Sequence, residues 1–157
     1  MTKFFQPTQY PHTLKPAIVL VNTGSPDTVQ ISDVRNYLQQ LFADPYMIPS
    51  LWKRLLLRYV ISPLYAKKSA RKYRKIHAEL GFPLVYHTQN LALRLNEEFN
   101  YLGIDCDVFF AMRYGQPNLT QLVCQLTQEE RDIFLVPLFP QYTPSTTASA
   151  IVCAQKA

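Results

Sequence analysis

The chain has 157 residues, 48% hydrophobic and 17% charged, with a formal net charge of +5, which suffices for one domain with a real core and excludes a disordered or fibrous chain. Its three cysteines form no Cys-x-x-Cys pair, which argues against a disulfide scaffold or zinc knuckle and fits a reducing compartment. No stretch reaches the roughly 18 uncharged apolar residues of a spanning helix, and "MTKFFQPTQYPHTLKP" lacks the uninterrupted apolar core of a signal peptide.

Ala17 to Val21 is a β-branched apolar run between Pro16 and a turn signal at Asn22 to Pro26. It reads as a strand buried on both faces of a parallel sheet. Ser32 can cap the next helix, whose apolar face is Val34, Tyr37, Leu38, Leu41 and Phe42, and Asp44-Pro45 ends it. In "LWKRLLLRYVI", Leu51, Trp52, Leu55, Leu56, Tyr59 and Val60 share one helical face. Such a face either packs on the core, or lies on a membrane or over a cleft. Pro63 breaks this helix, and a second basic helix, about Ser69 to Leu80, ends at Gly81-Phe82-Pro83. From Lys53 to Lys75 there are nine basic residues and no acidic one. That block is either a solvated helix face or a surface for anionic partners: carboxylated ligands, phosphate or lipid.

Thr88 can cap a further helix with Leu91, Leu95 and Phe99 inward. Asp105 to Met112 is the second strand, and Leu119, Leu122, Val123 and Leu126 line the next helix. Ile133 to Phe139 is the third strand, and Ser145 or Thr146 can cap a last helix at "ASAIV". Strands alternating with helices predict right-handed crossovers and an α/β fold with a doubly wound, mainly parallel sheet, as a single domain over residues 1–157.

Ligands of such sheets bind beyond the carboxyl ends of the strands. Three segments are nominated: Asn22 to Pro26, Arg113 to Pro117, and Pro140 to Thr147. They hold hydroxyls, amides, aromatic rings and one arginine, without a nucleophile–base pair or paired carboxylates. Arg113 can meet a carboxylate, and Tyr114 can offer a ring face and a hydroxyl. The first segment lacks both phosphate-loop spacings. His12, His77 and His87 have no ligand-like spacing, so each reads as structural or exposed rather than as a metal ligand.

"LVNTGSPDT…DVRNYLQQLFADP", "PLYAKKSARKYRKI", "RYGQP" and "VPLFPQYTPSTTAS" together resemble, in order, the N-terminal half of ferrochelatases. The family is about twice this length, with two similar α/β halves around a porphyrin cleft. The resemblance therefore implies that this chain is one half of a two-domain fold and that the C-terminal half is absent. It implies insertion of ferrous iron into protoporphyrin IX to form protohaem, by a cytoplasmic lyase peripheral to the inner face of the membrane, with no nucleic-acid partner. Carried over by position, the porphyrin contacts are Thr23, Leu41, Met47, Tyr73, Arg113 and Tyr114. Trp52 to Ile61, with Trp52, Leu55, Leu56 and Tyr59 outward, corresponds to the lip that covers the cleft and faces membrane. The metal-site His and Glu belong to the second half, so no catalytic or metal-ligating residue carries over, and iron is a substrate rather than a cofactor.

Some positions depart from the family. The Gly-Gly-Ser-Pro turn reads Leu80-Gly81-Phe82-Pro83, and Tyr65 stands where an arginine is common. The resemblance then leaves propionate binding to Lys67, Lys68 or Arg113. Pro144 stands where some members place a cysteine, which speaks against an iron–sulfur cluster. Two alternatives remain: a non-catalytic tetrapyrrole- or membrane-binding α/β module, and a chelatase for another metal such as cobalt.

Overall fold

A computed structural model describes residues 15–157. The readings of the N-terminal leader and of His12 fall outside those residues. Three strands, β1 (Ala17–Asn22), β2 (Asp107–Met112) and β3 (Ile133–Pro137), form a parallel sheet in the order β2-β1-β3. The helices are α1 (Ile31–Ala43), α2 (Leu51–Leu55), α3 (Ser62–Ile76), α4 (Pro83–Tyr101), α5 (Leu119–Gln128) and α6 (Ser149–Gln155). This is the expected α/β architecture, a parallel sheet flanked by helices.

The register sorts the side chains. Ile18 lies between Val108 and Phe134, and Leu20 between Phe110 and Val136, so the even-numbered residues share one face. On that face Leu20 and Val108 pack with Ala92, Leu95 and Phe99 of α4. The opposite face buries Val19, Val21 and Ala111 against Leu119, Val123 and Leu126 of α5 and Ala150 of α6. β1, apolar on both faces, is the central strand. The outer edge of β2 is closed by a side chain: Asn96 Nδ2 donates to the Val108 carbonyl, and Asn96 Oδ1 accepts the Val108 amide, both at 2.7 Å. An asparagine thus completes the pairing that a fourth strand would give.

Several helix boundaries differ from expectation. Ser32 lies inside α1 and bonds Asp33, while Thr28, two residues before the Gln30 cap, bonds both the Gln30 amide and Asp33. Pro63 does not break the helix. A π-helical stretch, Leu56–Ile61, joins α2 to α3, and Ser62 Oγ donates to the Arg58 carbonyl at 2.7 Å. Proline removes one helical N–H and crowds the carbonyl four residues back, and a wider turn just before it accommodates both. The second basic helix is accordingly the run Ser62–Ile76.

α4 starts at Pro83, where the missing N–H is no loss. Thr88 is buried inside it and donates to the Leu84 carbonyl at 2.7 Å. The inward face is Thr88, Ala92, Leu95 and Phe99, and Leu91 is exposed. Neither Ser145 nor Thr146 caps the last helix. Thr143, in extended conformation, precedes a π-helical turn at Pro144–Ala148 that runs on into α6.

Candidate functional site

The carboxyl ends of the strands are held together backbone to backbone. Arg113 N donates to the Asn22 carbonyl at 2.8 Å, Tyr114 N to the Thr23 carbonyl at 2.9 Å, and Leu138 N to the Val21 carbonyl at 2.8 Å. The loops after β1 and β2 approach so closely because of two glycines at positive φ. A Cβ on Gly24 would stand 1.9 Å from the Tyr114 carbonyl oxygen, and one on Gly115 2.3 Å from that of Ser25. The first two nominated segments therefore converge on one end of the sheet, and the third begins two residues after Leu138, which bonds β1 there.

At their centre is Asp44, whose side chain is fully buried at the end of α1. Its Oδ2 accepts from Tyr114 Oη at 2.6 Å, from Arg113 Nη2 at 2.9 Å and from Ser149 Oγ. Its Oδ1 accepts the Tyr46 amide at 2.7 Å. Arg113 Nε donates to Ser149 Oγ at 2.7 Å, and the guanidinium lies 4.7 Å from the centre of the Tyr114 ring. One carboxylate thus ties together the ends of α1 and β2 and the start of α6. Burial pushes the Asp44 carboxyl up. The bonds from Ser149, Tyr114 and the Tyr46 amide, with the Arg113 charge, more than reverse this and hold it below the ordinary carboxylate value. Burial and the bond to Asp44 push the Tyr114 phenol up, so it stays a donor.

This corrects the picture of Arg113 and Tyr114 as free ligand groups. Tyr114 is buried, 1% exposed, with its hydroxyl spent on Asp44 and its ring edge-to-face with Tyr37 at 6.4 Å. Only Arg113 keeps an open side. Leu41 and Tyr73 are half-buried against the same cluster of Val34, Tyr37, Leu38, Ala70 and Tyr114. Tyr73 also meets Phe82 edge-to-face at 5.8 Å. Thr23 is half-buried at the end of β1, and Met47 is half-buried in the loop after Asp44. Thr23, Leu41, Tyr73, Arg113 and Tyr114 therefore belong to one neighbourhood linked by packing or backbone bonds.

Trp52, Leu55, Leu56 and Tyr59 stand elsewhere. They do not pack on the core: Trp52 is 82% exposed, and Leu51, Val60, Leu64 and Tyr65 nearby in the chain are exposed as well. None of the nine cations from Lys53 to Lys75 has an acidic partner among the described residues. Among the cavities that adjoin the carboxyl end of the sheet, one of about 320 Å³ is lined by Pro26 and Gln116 of the strand-end loops together with Phe82 and Tyr86, and two others matter here. One, about 430 Å³, is walled by Asn22, Leu84, His87, Thr88, Leu91 and Leu138. The other, about 260 Å³, opens beside Arg113. Asp44 and Ser149 were the functional residues that sequence reasoning missed. Asp44 read as a helix stop and Ser149 as part of a helix start, and their pairing across 105 residues leaves no local signal in the sequence.

The ferrochelatase family profile matches residues 15–157. Among curated relatives, the ferrochelatase of Janthinobacterium sp. (strain Marseille) is 42% identical over 142 residues, covering 87% of this chain and 38% of the relative. That of Coxiella burnetii (strain Dugway 5J108-111) is 39% identical over 140 residues, covering 87% and 39%. That of Francisella tularensis subsp. tularensis (strain WY96-3418) is 36% identical over 141 residues, covering 86% and 41%. The chain spans about two fifths of the length of the curated relatives it matches.

Proposed function

The chain belongs to the ferrochelatase family, and from that premise we propose that it serves the insertion of ferrous iron into protoporphyrin IX as the N-terminal α/β half of a two-domain enzyme. The family match over residues 15–157 carries this reading, and it does not favour a non-catalytic module. Metal insertion bends a flat macrocycle, removes two pyrrole protons and brings the metal to the exposed nitrogens. A rigid wall serves the bending. The backbone-paired loops after β1 and β2, braced by Asp44, supply a stiff one. In this reading Thr23, Met47 and Arg113 meet the porphyrin, while Leu41, Tyr73 and Tyr114 back them from the core. The residues that deliver iron and take the protons lie in the family's second half.

Trp52 is the single tryptophan and stands on the lip, so it reports the test. Protoporphyrin IX should quench its emission saturably. With ferrous iron added, the 157-residue chain alone should not reach the roughly 1 turnover per second at which ordinary enzymes begin. Linear, unsaturable quenching would sink the porphyrin reading, and turnover by the chain alone would sink the division of labour.

The lip itself favours a peripheral membrane role. A row of exposed aromatics and leucines beside nine cations that have no acidic partner among the described residues fits an anionic bilayer surface, with rings at the headgroups and lysines reaching phosphates. No helix among the described residues is long and apolar enough to cross a membrane. Co-sedimentation should favour anionic over neutral vesicles about tenfold or more, the worth of even two cations near such a surface, and should weaken as salt rises. Equal binding to both vesicle types would refute it.

A further inference from the structure

The smaller cavity, about 260 Å³, is walled by Asp44, Arg113, Thr120, Ser149, Cys153 and Lys156, among others. Its polar groups are almost all donors. Both oxygens of Asp44 are already taken, Oδ1 by the Tyr46 amide and Oδ2 by Tyr114, Arg113 and Ser149. Its negative charge is therefore spent inward. Arg113 uses Nε on Ser149 and Nη2 on Asp44, and its Nη1 has no partner among the described residues. The guanidinium is fixed from three sides, by Asp44, Ser149 and the Tyr114 ring. A fork held this way loses little freedom when it takes an acceptor.

Lys156 ends the same α6 stripe as Ser149, Val152 and Cys153, at helical spacing. Unlike Arg113, it has no acidic partner among the described residues. Thr120 Oγ1 lies 3.2 Å from Cys153 Sγ, which places a hydroxyl and a thiol on the remaining wall. Two cations, one internally compensated carboxylate and a hydroxyl leave the cavity net positive and short of acceptors. Such a site is complementary to an oxyanion. Its volume admits a phosphate or a short carboxylate and excludes a macrocycle.

We infer that this cavity is a small-oxyanion site, in which Arg113 Nη1 and Lys156 Nζ together hold a carboxylate or phosphate. The oxyanion comes either as a free ion or as the carboxylate arm of a larger ligand. The second source rests on the porphyrin reading above, and the first does not.

Cys153 is a reporter built into the wall. The native chain is alkylated with iodoacetamide at constant ionic strength, and labelling of each cysteine is followed by mass spectrometry. Inorganic phosphate or propanoate at ten times its dissociation constant should slow labelling of Cys153 about tenfold, and leave Cys106, at the start of β2, unchanged. Sodium chloride at equal ionic strength should give no protection, which separates occupancy from screening. Lys156→Gln changes an exposed side chain and should keep the parent's melting temperature while losing the protection, read as the ratio of Cys153 labelling rates with and without anion in the same variant. Protoporphyrin IX against its dimethyl ester tells the sources apart: protection by the acid alone assigns the anion to the macrocycle's carboxylate, and protection by the inorganic ions alone assigns it to a free ion. Failure of the porphyrin reading silences only that last comparison. Labelling of Cys153 that is the same with every anion, or protection that survives Lys156→Gln, would overturn the proposal.

Discussion

Replacing Asp44 with alanine should cost the fold about 3–5 kcal/mol, the usual penalty for leaving one member of a buried ion pair unmatched. The side chain is fully buried, and four donors converge on its two oxygens. Alanine would leave a guanidinium, a phenol, a hydroxyl and an amide facing an apolar hole. Asp44→Asn is the sharper variant, because it keeps the shape and removes the charge. Its single carbonyl oxygen cannot serve three donors, and its amide would point a hydrogen at one of them. The pH dependence separates charge from shape. The folded-state pKa of Asp44 is depressed, so its contribution is fully present above the unfolded value of about 3.9 and is lost as pH falls through the folded value. The stability gap between parent and Asp44→Asn, from thermal or urea melts, should therefore be constant from neutral pH to about 5 and narrow below about 4. A gap that stays constant to low pH would show that the carboxylate charge contributes nothing.

Gly24→Ala should be nearly as damaging, for a reason unconnected with charge. The new Cβ would meet the Tyr114 carbonyl oxygen at 1.9 Å, and that oxygen belongs to backbone in a paired loop, so neither partner can turn aside. Backbone strain at φ +101 adds about 1–3 kcal/mol, on top of an overpacking cost of about 1–3 kcal/mol. Gly81 is the natural control. It has φ +94, yet nothing lies within 4 Å of where its Cβ would stand. Gly81→Ala should thus show the strain alone. Melting curves of the two variants separate the terms, and equal losses would mean that the loops can part without cost.

The strands were the legible part of the sequence. Ala17 to Val21, Asp105 to Met112 and Ile133 to Phe139 read as dense apolar runs between prolines and turns. β2 starts two residues later and β3 ends two residues earlier than read, and β3 leaves Phe134 and Val136 exposed on one face. The helix boundaries were less legible, because proline, serine and threonine each have two meanings. Pro63 and Pro83 are the same residue, yet one sits behind a π-helical turn within a continuous helix and the other opens one. Thr88 has the chemistry of a cap, yet its hydroxyl is satisfied by the carbonyl of Leu84 four residues back, which local pattern cannot foresee. The Asp44 hub was illegible for a different reason. Its side-chain partners lie 69, 70 and 105 residues further along the chain, so no window of sequence contains it. Arg113 and Tyr114 were placed correctly at the end of β2. What the sequence did not reveal is that a buried carboxylate would claim the Tyr114 hydroxyl and one arm of the Arg113 guanidinium.

The central position of β1 sets the timetable of synthesis. Of the three described strands, the one made earliest is the one with neighbours on both sides, and the earlier of those neighbours, β2, begins about 85 residues after β1 ends. At the usual pace of roughly 5–20 residues per second, β1 waits for several seconds with both edges bare, and longer for β3. During that interval "AIVLV" is a flat, uncharged, β-branched segment, the kind that pairs with its own copies. Among the described strands, the risk of clumping is therefore concentrated in β1, falls when β2 docks and ends only when β3 covers its second edge. Slowing translation between Asn22 and Asp107 should lower the soluble yield, whereas slowing it after Pro137 should not.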